Sequence, residues 1–237
     1  MPQISTHSIT TDCTLIRWQI TESETDLAAQ LVLTNEEQID LNSIAHPGQR
    51  IEWLACRVAL KTMVKASGLC YNGLWKDTYG KPHLRVPGGE STNLANDSAR
   101  PGESTNSVRL GESTPGHISL SHTLGWATAV WHLTRPVGLD VEPIRDQFTR
   151  VVPRVLSPSE IADANGQPDR LAMYWCAKEA LYKLYGKRQL TFREHLLIDP
   201  FVTGATQLTG HVRLPDHQET LTLYCLHLEP GLVMVAC

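Results

Sequence analysis

The sequence lacks an excess of basic residues, a long apolar run and any leader pattern. Its 21 Lys and Arg against 25 Asp and Glu give a net charge of -4, which argues against a nucleic-acid-binding protein, since such proteins usually carry a basic face. The longest apolar stretch, residues 231–237, is too short to cross a bilayer. The polar start of the chain has no apolar segment behind a basic one, so a secretory signal is not expected.

Paired cysteines are also missing. The six cysteines form no CxxC pair and show no regular spacing, which argues against a disulfide framework or a zinc site. We therefore expect free and mostly buried thiols in a reducing compartment, and a cytoplasmic protein without nucleic-acid or membrane partners.

The pattern of apolar residues predicts an α+β fold. With 237 residues, of which 41% are hydrophobic, the chain is long enough for one large domain or two small ones. Alternation and helical periodicity predict strands at 14–20, 117–121, 127–133 and 137–141, helices at 50–66 and 169–185, and an antiparallel meander at 211–214, 220–228 and 232–236.

One segment, residues 88–116, differs from the rest in composition. It contains Gly-Glu-Ser-Thr three times, starting at Gly89, Gly102 and Gly111, among Ser, Asn and Pro. Because so few apolar residues cannot offset the entropy of ordering a chain, we predict a disordered surface insertion.

A similar order of elements occurs twice along the chain. A capping-box pattern at 34–37 recurs at 157–160, shifted by 123 positions, and the helix at 53–60 can be aligned with 174–181 at a shift of 121. In this alignment Arg57 lies opposite Lys178, whereas Val58 lies opposite Glu179. The pattern predicts two halves of similar structure with one active site.

Two carboxylates lie side by side in the segment Gly-Leu-Asp-Val-Glu at 138–142. Because residues two apart on a strand face the same way, Asp140 and Glu142 would repel each other unless a cation intervenes. Hard divalent ions such as Mg²⁺ prefer such oxygen ligands. The simpler interpretation is a solvated strand end with Glu142 paired to Arg145.

The helix that follows carries Glu179 and Lys183, four residues apart on one face. They form either an ordinary surface ion pair or a third metal carboxylate with a cation beside a phosphate. Upstream, Ser121 and His122 end a strand and point apart, so they are poorly placed to act as nucleophile and base. Hydrogen bonding to a phosphate suits them better.

Together these motifs resemble the 4'-phosphopantetheinyl transferase superfamily, in its larger monomeric type typified by the surfactin-synthetase activator. The resemblance runs from about residue 34 to 187 and departs from the family mainly at the 88–116 insertion. The matching segments are Ser-His-Thr at 121–123, Gly-Leu-Asp-Val-Glu at 138–142, Trp-Cys-Ala-Lys-Glu-Ala-Leu-Tyr-Lys at 175–183, the segment 50–57 and Gly-Lys-Pro at 80–82.

The resemblance implies a fold of two similar α/β halves related by a pseudo-twofold axis, with the active site at their interface. We place the halves at 1–116, including the insertion, and at 117–237, which carries the metal motifs. The implied reaction transfers the 4'-phosphopantetheine group from coenzyme A to a serine of an apo carrier protein and releases 3',5'-ADP.

The resemblance also implies roles for individual residues. Asp140, Glu142 and Glu179 would hold Mg²⁺ or Mn²⁺, and Glu179 and Lys183 are the catalytic candidates. Glu179 would act as the base directly or through water, although a metal-bound carboxylate is a weaker base. The candidates for binding coenzyme A are Arg50, Arg57, Lys81, Ser121, His122 and Lys183.

Two alternatives remain at this stage: a catalytically silent protein of the same fold that binds coenzyme A or a carrier, and another Mg²⁺-dependent phosphohydrolase. The carrier belongs to fatty-acid, polyketide or nonribosomal-peptide synthesis, and the sequence does not choose among them. Fused halves predict a monomer.

Overall fold

A computed structural model describes residues 3–85, 116–123, 125–143, 152–187, 190–228 and 231–237. The helices are α1 (Glu24–Ala29), α2 (Asn35–Ser43), α3 (Pro47–Ala66), α4 (Val152–Val155), α5 (Pro158–Ala164), α6 (Pro168–Tyr185) and α7 (Phe192–His195). The strands are β1 (Ile4–Thr10), β2 (Cys13–Gln19), β3 (Leu74–Lys76), β4 (Pro82–Leu84), β5 (His117–Thr123), β6 (Trp126–His132), β7 (Gly138–Glu142), β8 (Leu196–Ile198), β9 (Gln207–Leu214), β10 (His217–Leu228) and β11 (Gly231–Ala236). This mixture of helix and sheet confirms the α+β class.

The predicted segments correspond closely to these elements, both capping boxes included. The predicted insertion lies outside the described residues except for Gly116. Within the described ranges, no helix is long and apolar enough to span a membrane. The six cysteines are free thiols, all buried except Cys70.

The first sheet has the strand order β1-β2-β6-β5, and each neighbouring pair is antiparallel. Helix α3 packs across it. Apolar side chains from both elements, among them Ile16, Leu54, Leu60 and Ala129, form one buried cluster. The helix presents an apolar face to the sheet because its apolar residues recur at helical spacing.

The second sheet has the order β7-β11-β10-β9-β8. Strands β9, β10 and β11 form the predicted antiparallel meander. Helix α6 covers one face of this sheet, and its side chains Tyr174, Leu181 and Leu184 join Val212 and Leu223 in a second buried cluster.

The two sheets meet at a third apolar cluster, which contains Leu15 and Val130 from the first sheet and Leu139 and Val235 from the second. At this contact β5 lies alongside β7 without backbone pairing. The hydroxyl of Ser119 instead accepts the N–H of Leu139 at 3.0 Å. The last residues of β5 and β7 are thereby held next to each other.

The strands of the first sheet lie on both sides of the division drawn on the sequence at residue 116. Strands β5 and β6 follow residue 116, and the sequence division therefore placed them in the second half. In the structure both belong to the first sheet, because β6 pairs with β2 and β5 pairs with β6. The chain passes from the first sheet to the second between His132 and Gly138.

Two buried ion pairs of similar design join a capping box, a long helix and a short strand, the first at β3, which forms a two-stranded sheet with β4, and the second at β8 of the second sheet. Glu37, from the first capping box, accepts Nε of Arg57 on α3 at 3.0 Å and the backbone N–H of the first residue of β3 at 3.2 Å. Glu160, from the second, pairs with Nζ of Lys178 on α6 at 2.7 Å and accepts the N–H of the last residue of β8 at 2.9 Å. All four side chains are buried. The positions aligned from sequence, Arg57 and Lys178, therefore make the same contact.

Candidate active site

Asp140 stands at the centre of the candidate site, in the middle of β7. Its side chain is buried, and its Oδ1 atom accepts Nζ of Lys183 at 2.7 Å and Oγ of Ser121 at 3.2 Å. Its Oδ2 atom is buried and has no hydrogen-bond partner within the described part of the chain. A buried carboxylate oxygen without a partner is costly, which marks this atom as a candidate ligand position.

The glycine that opens β7 explains why Asp140 and Lys183 come so close. A Cβ atom on Gly138 would lie 1.9 Å from the carbonyl oxygen of Ala180 and 2.5 Å from the backbone nitrogen of Leu184. Only glycine allows the backbone of β7 to approach that of α6 this closely. The approach brings the central carboxylate of the strand to the lysine of the helix.

Two further carboxylates lie near Asp140. Glu142, at the end of β7, accepts the indole N–H of Trp175 at 3.2 Å. Burial raises the pKa of Glu179 to about 7, helped by the negative charges of Asp140 and Glu142 and opposed by Lys183. The three carboxyl groups are thus close enough to repel one another, although among the described residues no three side chains are already gathered as a metal cluster.

This donor set fits a hard divalent cation. All the candidate ligands are carboxylate oxygens, which such ions prefer. The partnerless Oδ2 atom of Asp140 and the raised pKa of Glu179 are both features that a bound cation would relieve.

Lys183 supplies a fixed positive charge. Burial alone would lower its pKa, but the charge of Asp140 and its hydrogen bond raise the pKa above the ordinary value for lysine. The ammonium group therefore stays protonated. This pairing replaces the simple surface interaction of Glu179 with Lys183 that their helical spacing allows.

A cavity of about 220 Å³ adjoins Lys183. It lies between the β3–β4 turn, β5 and the end of α6, and Lys81, Ser119, Tyr182 and Gly186 line it. Nζ of Lys81 donates to the carbonyl oxygen of Leu184 at 2.6 Å, and burial lowers its pKa to about 8. The predicted residues Lys81 and Lys183 thus share one cavity.

Ser121 and His122 point apart, as expected for neighbours on a strand. The Ser121 hydroxyl donates to Asp140 and accepts from Lys183 at 3.1 Å and from the N–H of Val141 at 3.3 Å. A hydroxyl has one donor and two acceptor positions, so this one is fully engaged. In this structure the hydroxyl holds Asp140, and the predicted phosphate contact of Ser121 stays a prediction.

His122 is exposed for 43% of its side chain, and its Nδ1 atom lies 3.0 Å from Oε2 of Glu52 on α3. The contact leaves Nε2 as the ring nitrogen available to a ligand. His122 thus remains a candidate for contact with coenzyme A, with Glu52 fixing the orientation of its ring.

The two arginines predicted to bind coenzyme A are engaged elsewhere in the first half. Arg50 donates to Oε1 of Glu24 at 2.9 and 2.6 Å and to a backbone carbonyl. Arg57 is buried against Glu37, with its guanidinium 3.1 Å from the ring centroid of Trp53. Neither residue lines the cavity beside Lys183. The predicted contacts of Arg50 and Arg57 with coenzyme A stay predictions, since neither ion pair tests them.

Sequence reasoning gave no role to Glu52, Trp175 or Cys176. Trp175 holds Glu142, and Cys176 lies against Asp140, where burial and that carboxylate raise the pKa of its thiol well above the usual value. The signal available in the sequence was the position of Trp175 and Cys176, which lie shortly before Glu179 in the helical segment 175–183. Nothing in the linear sequence connects Glu52 with His122.

Comparison with known proteins supports the same family. Residues 136–233 match the family model of the 4'-phosphopantetheinyl transferase superfamily. Over 130 residues the chain is 31% identical to a Bacillus pumilus protein named 4'-phosphopantetheinyl transferase psf-1, and the alignment covers 51% of this chain and 52% of that protein. The chain therefore matches about half the length of this curated relative. These findings confirm the resemblance to the superfamily.

The matched segment covers only part of the candidate site. It includes the three carboxylates and Lys183, whereas Lys81 and His122 precede it. The three carboxylates and Lys183 thus lie in the part of the chain that resembles the family, and Lys81 and His122 lie outside it.

Proposed function

We propose that this protein transfers the 4'-phosphopantetheine group from coenzyme A to a serine of an apo carrier protein, with a divalent metal ion. The observation that carries the proposal is the Asp140 carboxylate, bonded to Lys183 through one oxygen and left without a partner at the other, next to two further carboxyl groups. The match to the 4'-phosphopantetheinyl transferase superfamily supports this transfer as the reaction of the site.

Coenzyme A would lie along the cavity between the two halves. Lys81 and Lys183 both line this cavity, so that two cations are available to a ligand with three phosphates. His122, held by Glu52, would add a hydrogen bond from Nε2 to one of these phosphates. Charged donors of this kind bind phosphate oxygens strongly.

Asp140, Glu142 and Glu179 would hold Mg²⁺. When bound there, the ion would neutralise charge on the pyrophosphate of coenzyme A. Mn²⁺ prefers similar oxygen ligands and would serve in its place.

In the transfer step, the serine oxygen of the carrier forms a bond to the phosphorus that bears the pantetheine group. The bond from that phosphorus to the bridging oxygen of the pyrophosphate breaks, and 3',5'-ADP leaves. Lys183, kept protonated by Asp140, stabilises the charge that develops on the leaving group. Glu179, which lies beside the other two carboxylates, takes the serine proton directly or through water.

We further propose that the two halves are related by a pseudo-twofold axis. The repeated ion pairs Glu37–Arg57 and Glu160–Lys178 support this relation, because each joins a capping box, a central helix and a strand in the same way. Only the second half carries a carboxylate at the position after the paired cation. One chain supplies the whole site, so a monomer would suffice for activity.

The direct test is the intact mass of an apo carrier protein after incubation with this protein, coenzyme A and Mg²⁺, with EDTA as a control. We expect a metal-dependent gain of one phosphopantetheine group. Asp140→Asn should abolish the gain, and Glu219→Gln, on the exposed surface of β10, should not. Binding of coenzyme A without transfer to fatty-acid, polyketide or peptide carriers would instead identify a silent relative. Release of inorganic phosphate without a carrier would identify a phosphohydrolase.

A further inference from the structure

We propose that Trp175 is the positioning residue of the metal site, through the hydrogen bond from its indole N–H to Glu142. The inference rests on the proposed function, since Glu142 matters here as a metal ligand. Nε1 of Trp175 lies 3.2 Å from Oε1 of Glu142. The tryptophan is on α6 and the glutamate at the end of β7, so the bond spans the two elements that form the carboxylate site.

The hydrogen bond from Trp175 restricts a flexible side chain. The carboxylate of Glu142 is separated from the backbone by three rotatable bonds, and binding a metal would require fixing all three. Asp140 is held in a comparable way by Lys183 and Ser121. A donor that holds one oxygen of Glu142 lowers the entropy lost when a metal binds, as outer hydrogen bonds do around other metal sites.

The indole is itself held in place. Its ring packs on Phe192 in α7, with ring centroids 6.4 Å apart and an angle of 28° between the planes. The other neighbour of Phe192 is Tyr182, at 5.3 Å between centroids. Trp175 is therefore packed as well as hydrogen-bonded, and its N–H has a defined direction.

The backbone of Phe192 is fixed by the buried ion pair of the second half. Nζ of Lys178 donates to the carbonyl oxygens of Phe192 at 3.0 Å and Val155 at 2.9 Å, in addition to Glu160 at 2.7 Å. An ammonium group has three donors, and all three are used. A continuous set of contacts thus runs from Lys178 through Phe192 and Trp175 to Glu142.

Comparison with the first half distinguishes the contacts that serve the fold from the contact that serves the carboxylate site. It has the same buried ion pair, but the position that aligns with Trp175 is Leu54, and the position that aligns with Glu179 is Val58. Leu54 is buried in the core of that half. The ion pair therefore occurs in both halves, whereas the indole donor occurs only beside the carboxylates. This distribution separates the role of Trp175 from a general role in folding.

The test is binding of Mn²⁺, measured by electron paramagnetic resonance with saturating coenzyme A, in Trp175→Phe. This change keeps an aromatic ring and removes the N–H donor. We expect about tenfold weaker Mn²⁺ binding. Trp53→Phe on α3, the same change at a tryptophan that packs on Arg57 instead of holding a carboxylate, should bind Mn²⁺ like the wild type.

A double-mutant cycle with Glu142→Gln tests whether Trp175 affects Mn²⁺ binding through Glu142. In that background Trp175→Phe should change Mn²⁺ affinity no further, because the group that the indole holds is gone. If Trp175→Phe melts far below the wild type, Phe192→Leu replaces it: the indole donor then stays and only its packing is loosened. Phe192→Leu should weaken Mn²⁺ binding in the same direction.

Two outcomes would count against the idea and are distinguishable. Wild-type Mn²⁺ affinity in folded Trp175→Phe, while the wild type transfers phosphopantetheine, would overturn the positioning role and leave the proposed function standing. Failure of the wild type to bind both Mn²⁺ and coenzyme A would overturn both proposals.

Discussion

Nζ of Lys183 lies 2.7 Å from Oδ1 of Asp140, and this contact joins α6 to β7 at the centre of the candidate site. The aspartate is buried, and the lysine is its charge partner. The charge of Asp140 raises the pKa of Lys183 and so keeps the lysine protonated. Removal of either charge would therefore alter both the electrostatics of the site and its stability.

Lys183→Met should lower kcat by about 100-fold or more, because it removes the fixed charge beside the leaving group. The measurement is the rate of phosphopantetheine transfer at saturating coenzyme A and Mg²⁺. Lys187→Met, which removes an exposed lysine one turn further on, is the matched control and should retain its activity. Equal rates for the two variants would show that Lys183 has no part in the reaction.

Gly138→Ala should destabilise the protein, because the new Cβ would meet the backbone of α6 at 1.9 Å. Overpacking of this kind costs about 1–3 kcal/mol, and the carboxylate site should be displaced as well. Chemical denaturation gives the free energy of unfolding. Gly48→Ala, near the start of α3, has only the His46 ring within 3.2 Å and should be close to neutral. A neutral Gly138→Ala would mean that β7 and α6 are not packed as described.

The affinity for coenzyme A should fall as the pH rises through 8, because burial places the pKa of Lys81 near 8. Only the protonated lysine attracts a phosphate, so kcat/KM for coenzyme A should decrease about tenfold between pH 7 and pH 9. Lys81→Arg keeps its charge over this range and should lose the inflection. If both proteins show the same profile, another group is responsible.

The two buried ion pairs should make similar contributions to stability. Arg57→Met and Lys178→Met each leave a buried carboxylate without its partner, which costs about 3–5 kcal/mol. Replacing both members of a pair by apolar residues should recover much of this loss. Urea denaturation of the single and double variants gives the values. A loss below 1 kcal/mol in one half only would show that the two pairs are not equivalent.

The sequence predicted those parts of the fold that depend on local pattern. The capping boxes that begin at Thr34 and Ser157 were predicted correctly, because the Thr or Ser hydroxyl and the Glu three residues later act within one helical turn. The meander at the end of the chain was likewise predicted from alternation. Strand β1 was missed, since Ile4–Thr10 is polar and mostly at the surface, and such an edge strand has little apolar signal.

The contacts between distant segments were less predictable. The burial of Arg57 against Glu37 was not predictable, because the two residues are 20 positions apart and meet only in the fold. The pairing of β5 with β6 places both strands in the first sheet, and no local pattern records which sheet a strand joins. Glu52 and His122 are 70 residues apart in sequence and meet only in the fold.

The close approach at Gly138 also restricts how the protein can move. Because Gly138 of β7 packs directly against the backbone of α6, there is no free space between the strand and the helix. The two elements should therefore move as one rigid body. The β3–β4 turn contacts the end of α6 through one side-chain hydrogen bond, from Lys81 to the carbonyl oxygen of Leu184. A ligand that enters the cavity beside Lys183 would then have to fit at a constant distance between the strand and the helix.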